Sequence, residues 1–215
     1  MKSGKYNVAK EYITFRYQKA LDNRKNTTDD RVLSLLQGDN EDIQQENANK
    51  NPNIVSTMRD YMAGEVSKDL SQRYLLPADI FKAHKDGIIH FHDMDYFAMP
   101  IHNCCLINLD DMLQNGTIIS GTTIDKPHTF KTACNIASQI VAQVASSQYG
   151  GQTITASHLS KFIPSTRQYF KEKYPTLTDE QIEDLVESDI TEGVQTLQYQ
   201  IITLQTTNGQ TPYVL

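Results

Sequence analysis

A mostly helical α/β fold is what this sequence predicts, and three observations predict it. Apolar residues recur at helical spacing in two long stretches: Ile136, Ile140 and Val144 in one, and Ile190, Val194, Leu197, Ile201 and Leu204 in the other. The stretch IIHFH, residues 88 to 92, follows Gly87 and alternates apolar with polar side chains beside a β-branched pair, as a strand does. A turn signal at Asn208-Gly209 precedes TPYVL, which reads as the opening of a further strand.

Taken in chain order, residues 6 to 21 set Val8, Tyr12, Ile13, Phe15, Tyr17 and Leu21 among charges, the pattern of an amphipathic helix. Residues 23 to 45 are rich in Asn, Asp and Gln and read as a polar linker with one or two helical turns around Val32 to Leu36. Ser56 or Thr57 is placed to cap a helix running to about Tyr74, ended by Leu75-Leu76-Pro77. Pro77 opens a short helix that Gly87 stops. A helix follows Thr129, with Gly150 and Gly151 placed to close it. Another spans roughly 156 to 173, and the last begins near Thr178. Its seam from Ile190 to Leu204 suits either an intramolecular core or a subunit interface.

Composition narrows the function classes. At 215 residues the chain can bury a sizeable core. With 26 acidic against 20 basic residues, a nonspecific nucleic-acid or anionic-membrane surface is disfavoured. No apolar run suits a signal peptide or a membrane span, which makes a cytoplasmic protein the default. Three cysteines, two of them adjacent, make a poor disulfide framework and leave thiol chemistry open.

The chemistry-bearing residues concentrate between Ile88 and Leu109, which hold His90, His92, His102, Cys104 and Cys105. Three readings compete there. His90 and His92, spaced H-x-H on a strand, can ligate one metal ion, with Asp93, His102 or Cys104 completing the shell, as in a metal-dependent hydrolase. The same side chains can be hydrogen-bonded histidines and small hydrophobic cysteines in a core. The third reading is a reactive thiol in a polar pocket. Strand alternation puts Cys104 and Cys105 on opposite faces, so they do not form a working dithiol.

Five blocks carry a resemblance: ENANKNPNIVSTMRDYMAGEVSKD (46 to 69), GIIHFHDMDY (87 to 96), HNCCLINL (102 to 109), SQIVAQVASSQYGGQTI (138 to 154) and NGQTPYV (208 to 214). In this order they resemble the N-terminal half of anaerobic (class III) ribonucleoside-triphosphate reductase. VAKEYITFRYQKA, residues 8 to 20, resembles the closing helix of that family's ATP-cone regulatory domain. The resemblance divides the chain into a cone-like tail helix (1 to 22), the linker (23 to 45) and the N-terminal part of the catalytic barrel (46 to 215).

The resemblance implies a ten-stranded glycyl-radical-enzyme α/β barrel, incomplete in this chain, that reduces ribonucleoside triphosphates to deoxyribonucleoside triphosphates without oxygen. In the family a radical-SAM activase installs a glycyl radical, a finger-loop cysteine removes the substrate's 3′ hydrogen, and the cysteine of an N-C-x-L motif returns a hydrogen atom. That motif falls on Asn103-Cys104-Cys105-Leu106, making Cys104 the hydrogen donor. Asn103 then bonds substrate or orders the strand, and His90, His92 and Asp93 position substrate, shuttle a proton or support the site from behind. Tyr96 is expected to pack with its hydroxyl satisfied, and Cys134 to be core.

Formate is the family's usual reductant, with a redoxin-type protein as the alternative. Structural zinc, ATP and deoxynucleotide effectors and a homodimer belong to the full-length family. Gln139, Gln143 and Gln148 are candidates to read an effector base or to form a solvated helix face. No glycyl-radical motif, finger-loop cysteine or four-cysteine zinc site occurs in these residues, so the expectation is a fragment that is inactive alone and prone to oligomerise. A non-catalytic helical assembly module remains the rival that needs no chemistry.

Overall fold

The computed structural model describes residues 27–37, 54–206 and 211–215. The chain divides into two units, Met1–Met99 and Pro100–Leu215. The helix expected over residues 6 to 21 and the Asn208-Gly209 turn lie outside the described residues. Among the described residues no helix is long and apolar enough to cross a membrane.

The described part of the first unit is mostly helical. Helix α1, Thr27–Gln37, runs for 11 residues, longer than the one or two turns expected of a linker. Asp29 and Asp30 in its first turn suit the helix dipole, and Leu35, 3% exposed, packs with Tyr61 and Met58. Helix α2, Val55–Leu70, continues through a π-helical turn, Ser71–Leu75, to the stop expected before Pro77. Its N-cap is Ile54 with no side-chain cap, so neither Ser56 nor Thr57 serves; Thr57 is buried instead. Glu65, 3% exposed, receives Arg31 at 3.4 Å and Lys68 at 2.8 Å, a buried carboxylate compensated from two helices. Helix α3, Ala78–Lys85, follows Pro77 and ends before Gly87, whose φ of 74° suits glycine.

IIHFH is not a strand. The Ile88 and Ile89 N–H groups both donate to Ala83 O, at 2.9 and 3.3 Å, and Asp93 adopts φ 55°. Further turns follow, Tyr96 N–H donating to Asp93 O and Met99 N–H to Tyr96 O, each at 3.0 Å. Propensity builds a strand only where a neighbour takes up the ladder, and here the backbone donors are spent locally.

The second unit is built around helix α5, and its elements run in the following order. Strand β1, Cys105–Ile107, leads to α4, Leu109–Gln114, which Asn108 caps. Strands β2, Thr117–Ile119, and β3, Thr122–Ile124, form an antiparallel hairpin that the sequence reading passes over. Ser120 at φ 50° and Gly121 at φ 79° give the two-residue turn with both central residues at positive φ that hairpins favour. Helix α5, Phe130–Ala145, is capped by Thr129, which accepts from Thr132 N–H. It ends at Ala145, so Gly150 and Gly151 do not close it; they lie in the connection to β4, Gln152–Ile154.

The single helix expected over 156 to 173 is two, α6, Ser157–Ser160, and α7, Ile163–Lys173, with Pro164 in the first turn of α7. Helix α8, Asp179–Thr203, starts at the expected place, with a capping box between Thr178 and Gln181. Ala133, Cys134, Ala137, Ile140 and Val141 of α5 lie in the core, and Ile190, Leu197 and Ile201 of α8 pack against it. The apolar seam of α8 is therefore largely intramolecular, while Val194 is partly exposed at its margin.

Strands β1 and β4 pair in parallel, Cys105 opposite Gln152 and Ile107 opposite Ile154. Residues Tyr213 to Leu215 take the other edge of β4: Gln152 N–H donates to Tyr213 O at 2.9 Å and Leu215 N–H to Gln152 O at 2.8 Å. The strand opening read from TPYVL thus finds its partner. Small and parallel, this sheet on a mostly helical body fits an α/β fold.

Candidate functional site

Strand alternation decides what each vicinal cysteine faces. Ile107 is 7% exposed and Cys105 packs on the core, whereas Leu106 is 84% exposed. Cys104, one residue before the strand, is exposed. Its thiol donates to Asn103 Oδ1 at 3.2 Å, and the Cys105 thiol donates to Gln148 Oε1 at 3.0 Å. Burial, and then the neighbouring Cys104, push the Cys105 thiol above its ordinary range and keep it protonated. The two sulfurs have separate partners, as alternation requires.

Residues 147 to 151 fold back along the Asn103-Cys104 segment through backbone bonds. His102 N–H donates to Ser147 O at 3.2 Å, Tyr149 N–H to His102 O at 3.1 Å, Gly150 N–H to Asn103 O at 2.8 Å and Cys105 N–H to Gly151 O at 3.2 Å. A Cβ at Gly150 would collide with Asn103 Oδ1 and stand 2.9 Å from Cys104 Sγ. Gly151 is crowded in the same way, since a Cβ there would lie 2.7 Å from Tyr213 Cδ1. These glycines permit close approach to the thiol segment and to residues 213 to 215, instead of ending α5 as the sequence suggests.

The histidines form a cluster of their own in the first unit. The His84 and His90 rings lie 5.6 Å apart between centroids, as do those of His90 and His92. His84 Nδ1 accepts the Phe91 N–H at 3.1 Å, so the ring of α3 anchors the turn segment. His92 Nε2 stands 3.2 Å from Asp93 Oδ1, with the histidine largely exposed. These residues line a cleft of ≈770 Å³ together with Arg31 and Lys68. His90 and His92 are thus neighbours without a strand, and His84, absent from the sequence reading, completes the row. The signal was faint: it comes from a separate helix, seven residues before Phe91 in the chain.

Among the described residues no three His, Cys, Asp or Glu side chains are arranged to hold a metal ion. The metal-dependent hydrolase alternative therefore finds no ligand set there. Tyr96 OH donates to Asp60 Oδ2 at 3.1 Å, satisfied as expected. Cys134 is fully buried, and burial pushes its thiol up to about 12. Of the three glutamines, Gln139 is exposed, Gln143 Oε1 accepts Ser120 N–H at 3.2 Å, and Gln148 is buried against Cys105.

Asn103 and Cys104 belong to the second unit, and His90, His92 and Asp93 to the first. Within the second unit the fold presents one exposed thiol, oriented by an amide oxygen and walled by glycine. Such a thiol can give up a proton or a hydrogen atom to something that reaches it from solvent.

Comparison with known proteins matches residues 46–215 to a family model described as anaerobic ribonucleoside-triphosphate reductase. The chain is similar to proteins of that name from Salmonella typhimurium, 37% identical over 99% of this chain, Haemophilus influenzae, 35% over 96%, and Escherichia coli, 34% over 99%. It spans 30–31% of the length of these relatives.

Proposed function

The chain belongs to the anaerobic ribonucleoside-triphosphate reductase family, and from that premise we propose that the complete protein reduces ribonucleoside triphosphates by radical chemistry, with Cys104 as the hydrogen donor. One observation carries the residue assignment: Cys104 is the exposed thiol, bonded to Asn103 Oδ1, while Cys105 is turned to the core and bonded to Gln148. The chemistry fits the residue type. A thiol S–H is weak, so as it breaks a C–H bond forms on a ribose carbon radical, and the sulfur keeps the unpaired electron until a reductant restores the thiol.

Asn103 holds the thiol hydrogen in this arrangement and is placed to bond a substrate hydroxyl in its turn. His90, His92 and Asp93 bind or orient substrate, or carry the proton that lets a hydroxyl leave as water; the exposed His92 beside Asp93 suits proton transfer. The glycyl radical supplies the one-electron oxidising equivalent and is formed by a radical-SAM activase acting on the complete protein. Formate or a redoxin returns the electrons. Effector nucleotides and a second subunit meet the second unit around α5 and α8, and residues 1 to 22 end an ATP-cone-like domain joined through residues 23 to 45.

The test is direct. The complete reading frame, prepared without oxygen and treated with its activase, S-adenosylmethionine and formate, should convert a ribonucleoside triphosphate to its deoxy form. Formation of the protein radical without any deoxynucleotide, with both reductant classes supplied, would refute the activity.

A further inference from the structure

We propose that Gln148 is a positioning residue for the Cys104 thiol, an inference that rests on the reading of Cys104 as hydrogen donor. Burying a primary amide costs free energy unless its groups are bonded. Gln148 is 3% exposed and spends both ends of its amide on this corner of the fold. Its Oε1 accepts the Cys105 thiol at 3.0 Å, and its Nε2 donates to Gly150 O at 3.0 Å.

Both bonds lead to Cys104. Cys105 is its covalent neighbour, and the amide fixes that side chain on the core face, which leaves Cys104 facing outward. Gly150 is the residue whose N–H holds Asn103 O at 2.8 Å and whose α-carbon face abuts Asn103 Oδ1 and Cys104 Sγ. One side chain therefore sets the residue after the thiol and the wall beside it. An apolar side chain of similar volume would fill the space without gripping the Gly150 carbonyl. Hydrogen-atom transfer depends steeply on distance, and a misplacement near 1 Å costs up to about a hundredfold.

Two variants test this, each beside wild type and Cys104→Ser in the complete, activated protein. Gln148→Leu removes both bonds. Gln148→Glu keeps the acceptor for the Cys105 thiol but, when ionised, cannot donate to Gly150 O; when protonated it can. Burial raises a carboxyl pKa, so this variant switches the clamp on as pH falls.

Expected for Gln148→Leu is a turnover number about tenfold lower with KM for the nucleotide within about twofold, and a rate of Cys104 alkylation changed about threefold or more. Expected for Gln148→Glu is a kcat relative to wild type that recovers on going from about pH 8 to about pH 6, a recovery Gln148→Leu lacks. Protection of the buried Cys134 from the same alkylating agent reports an intact fold. If Gln148→Leu unfolds, the pH recovery in Gln148→Glu still decides, because both of its states are compared in one protein.

The inference is overturned if Cys104→Ser is dead while the folded Gln148 variants match wild type in turnover, pH profile and Cys104 alkylation; the reductase reading then stands. Turnover surviving in Cys104→Ser overturns both.

Discussion

Gly150 and Asn103 meet backbone to backbone: the Gly150 N–H donates to Asn103 O at 2.8 Å, and a Cβ on Gly150 would lie 2.6 Å from that oxygen. Nothing larger than hydrogen fits between the loop and the thiol segment without moving one of them.

Gly150→Ala is therefore expected to displace Asn103 and Cys104. Overpacking of this kind costs about 1–3 kcal/mol of stability, and the misplaced thiol should lower turnover at least about tenfold. Urea titration and deoxynucleotide assay on the same preparation check it; a variant with full activity would show that the close approach at Gly150 does not set the position of the thiol.

Gly193 makes a contrasting case. A Cβ there would lie 2.8 Å from Phe130 Cδ1 and 3.1 Å from Lys131 Cα, across the packing of α8 on α5. Helix propensity favours alanine by about 1 kcal/mol, but separating the two helices costs about 1–3 kcal/mol. Gly193→Ala should lower the urea midpoint. The Cys104 alkylation rate should stay at its wild-type value, since no bond to the thiol segment is touched.

Cys134 gives a pH prediction. Burial raises its thiol from 9.0 to about 12, so the folded protein holds the proton more tightly than the unfolded chain does. This contribution is fully present below about pH 9 and is lost as pH rises toward 12, at a limiting slope of about 1.4 kcal/mol per pH unit. Cys134→Ala should flatten the alkaline loss of stability measured by urea midpoints. An unchanged slope would show that other groups carry it.

What the sequence made legible and what it hid divide along physical lines. Helices α5 and α8 were readable because local signals agree: Thr129 and Thr178 cap them, and apolar steps of three and four continue inside. The strand read at IIHFH failed because alternation and β-branching report only a willingness to pair. Its turns are set by Asp93 at positive φ and by backbone bonds to Ala83, which no periodicity announces. In the site, the separate surroundings of Cys104 and Cys105 agree with the alternation expected of a strand, which begins at Cys105. The roles of Gln148 and Gly150 were not legible, because they depend on a loop 43 residues away from Cys105 folding back beside it. His84 was hidden for a similar reason, its ring joining His90 from a different element.

The exposed thiol of Cys104, and not its half-buried, core-facing neighbour Cys105, is the one assigned to give the hydrogen atom. The most direct test of this assignment compares Cys104→Ser and Cys105→Ser with wild type in the complete, anaerobically activated protein, measuring deoxynucleotide formation and the protein radical in parallel. Cys104→Ser should show no turnover with the radical still formed, and Cys105→Ser, whose substitution disturbs packing and one weak bond, should turn over within about tenfold of wild type. Normal turnover in Cys104→Ser would contradict the assignment.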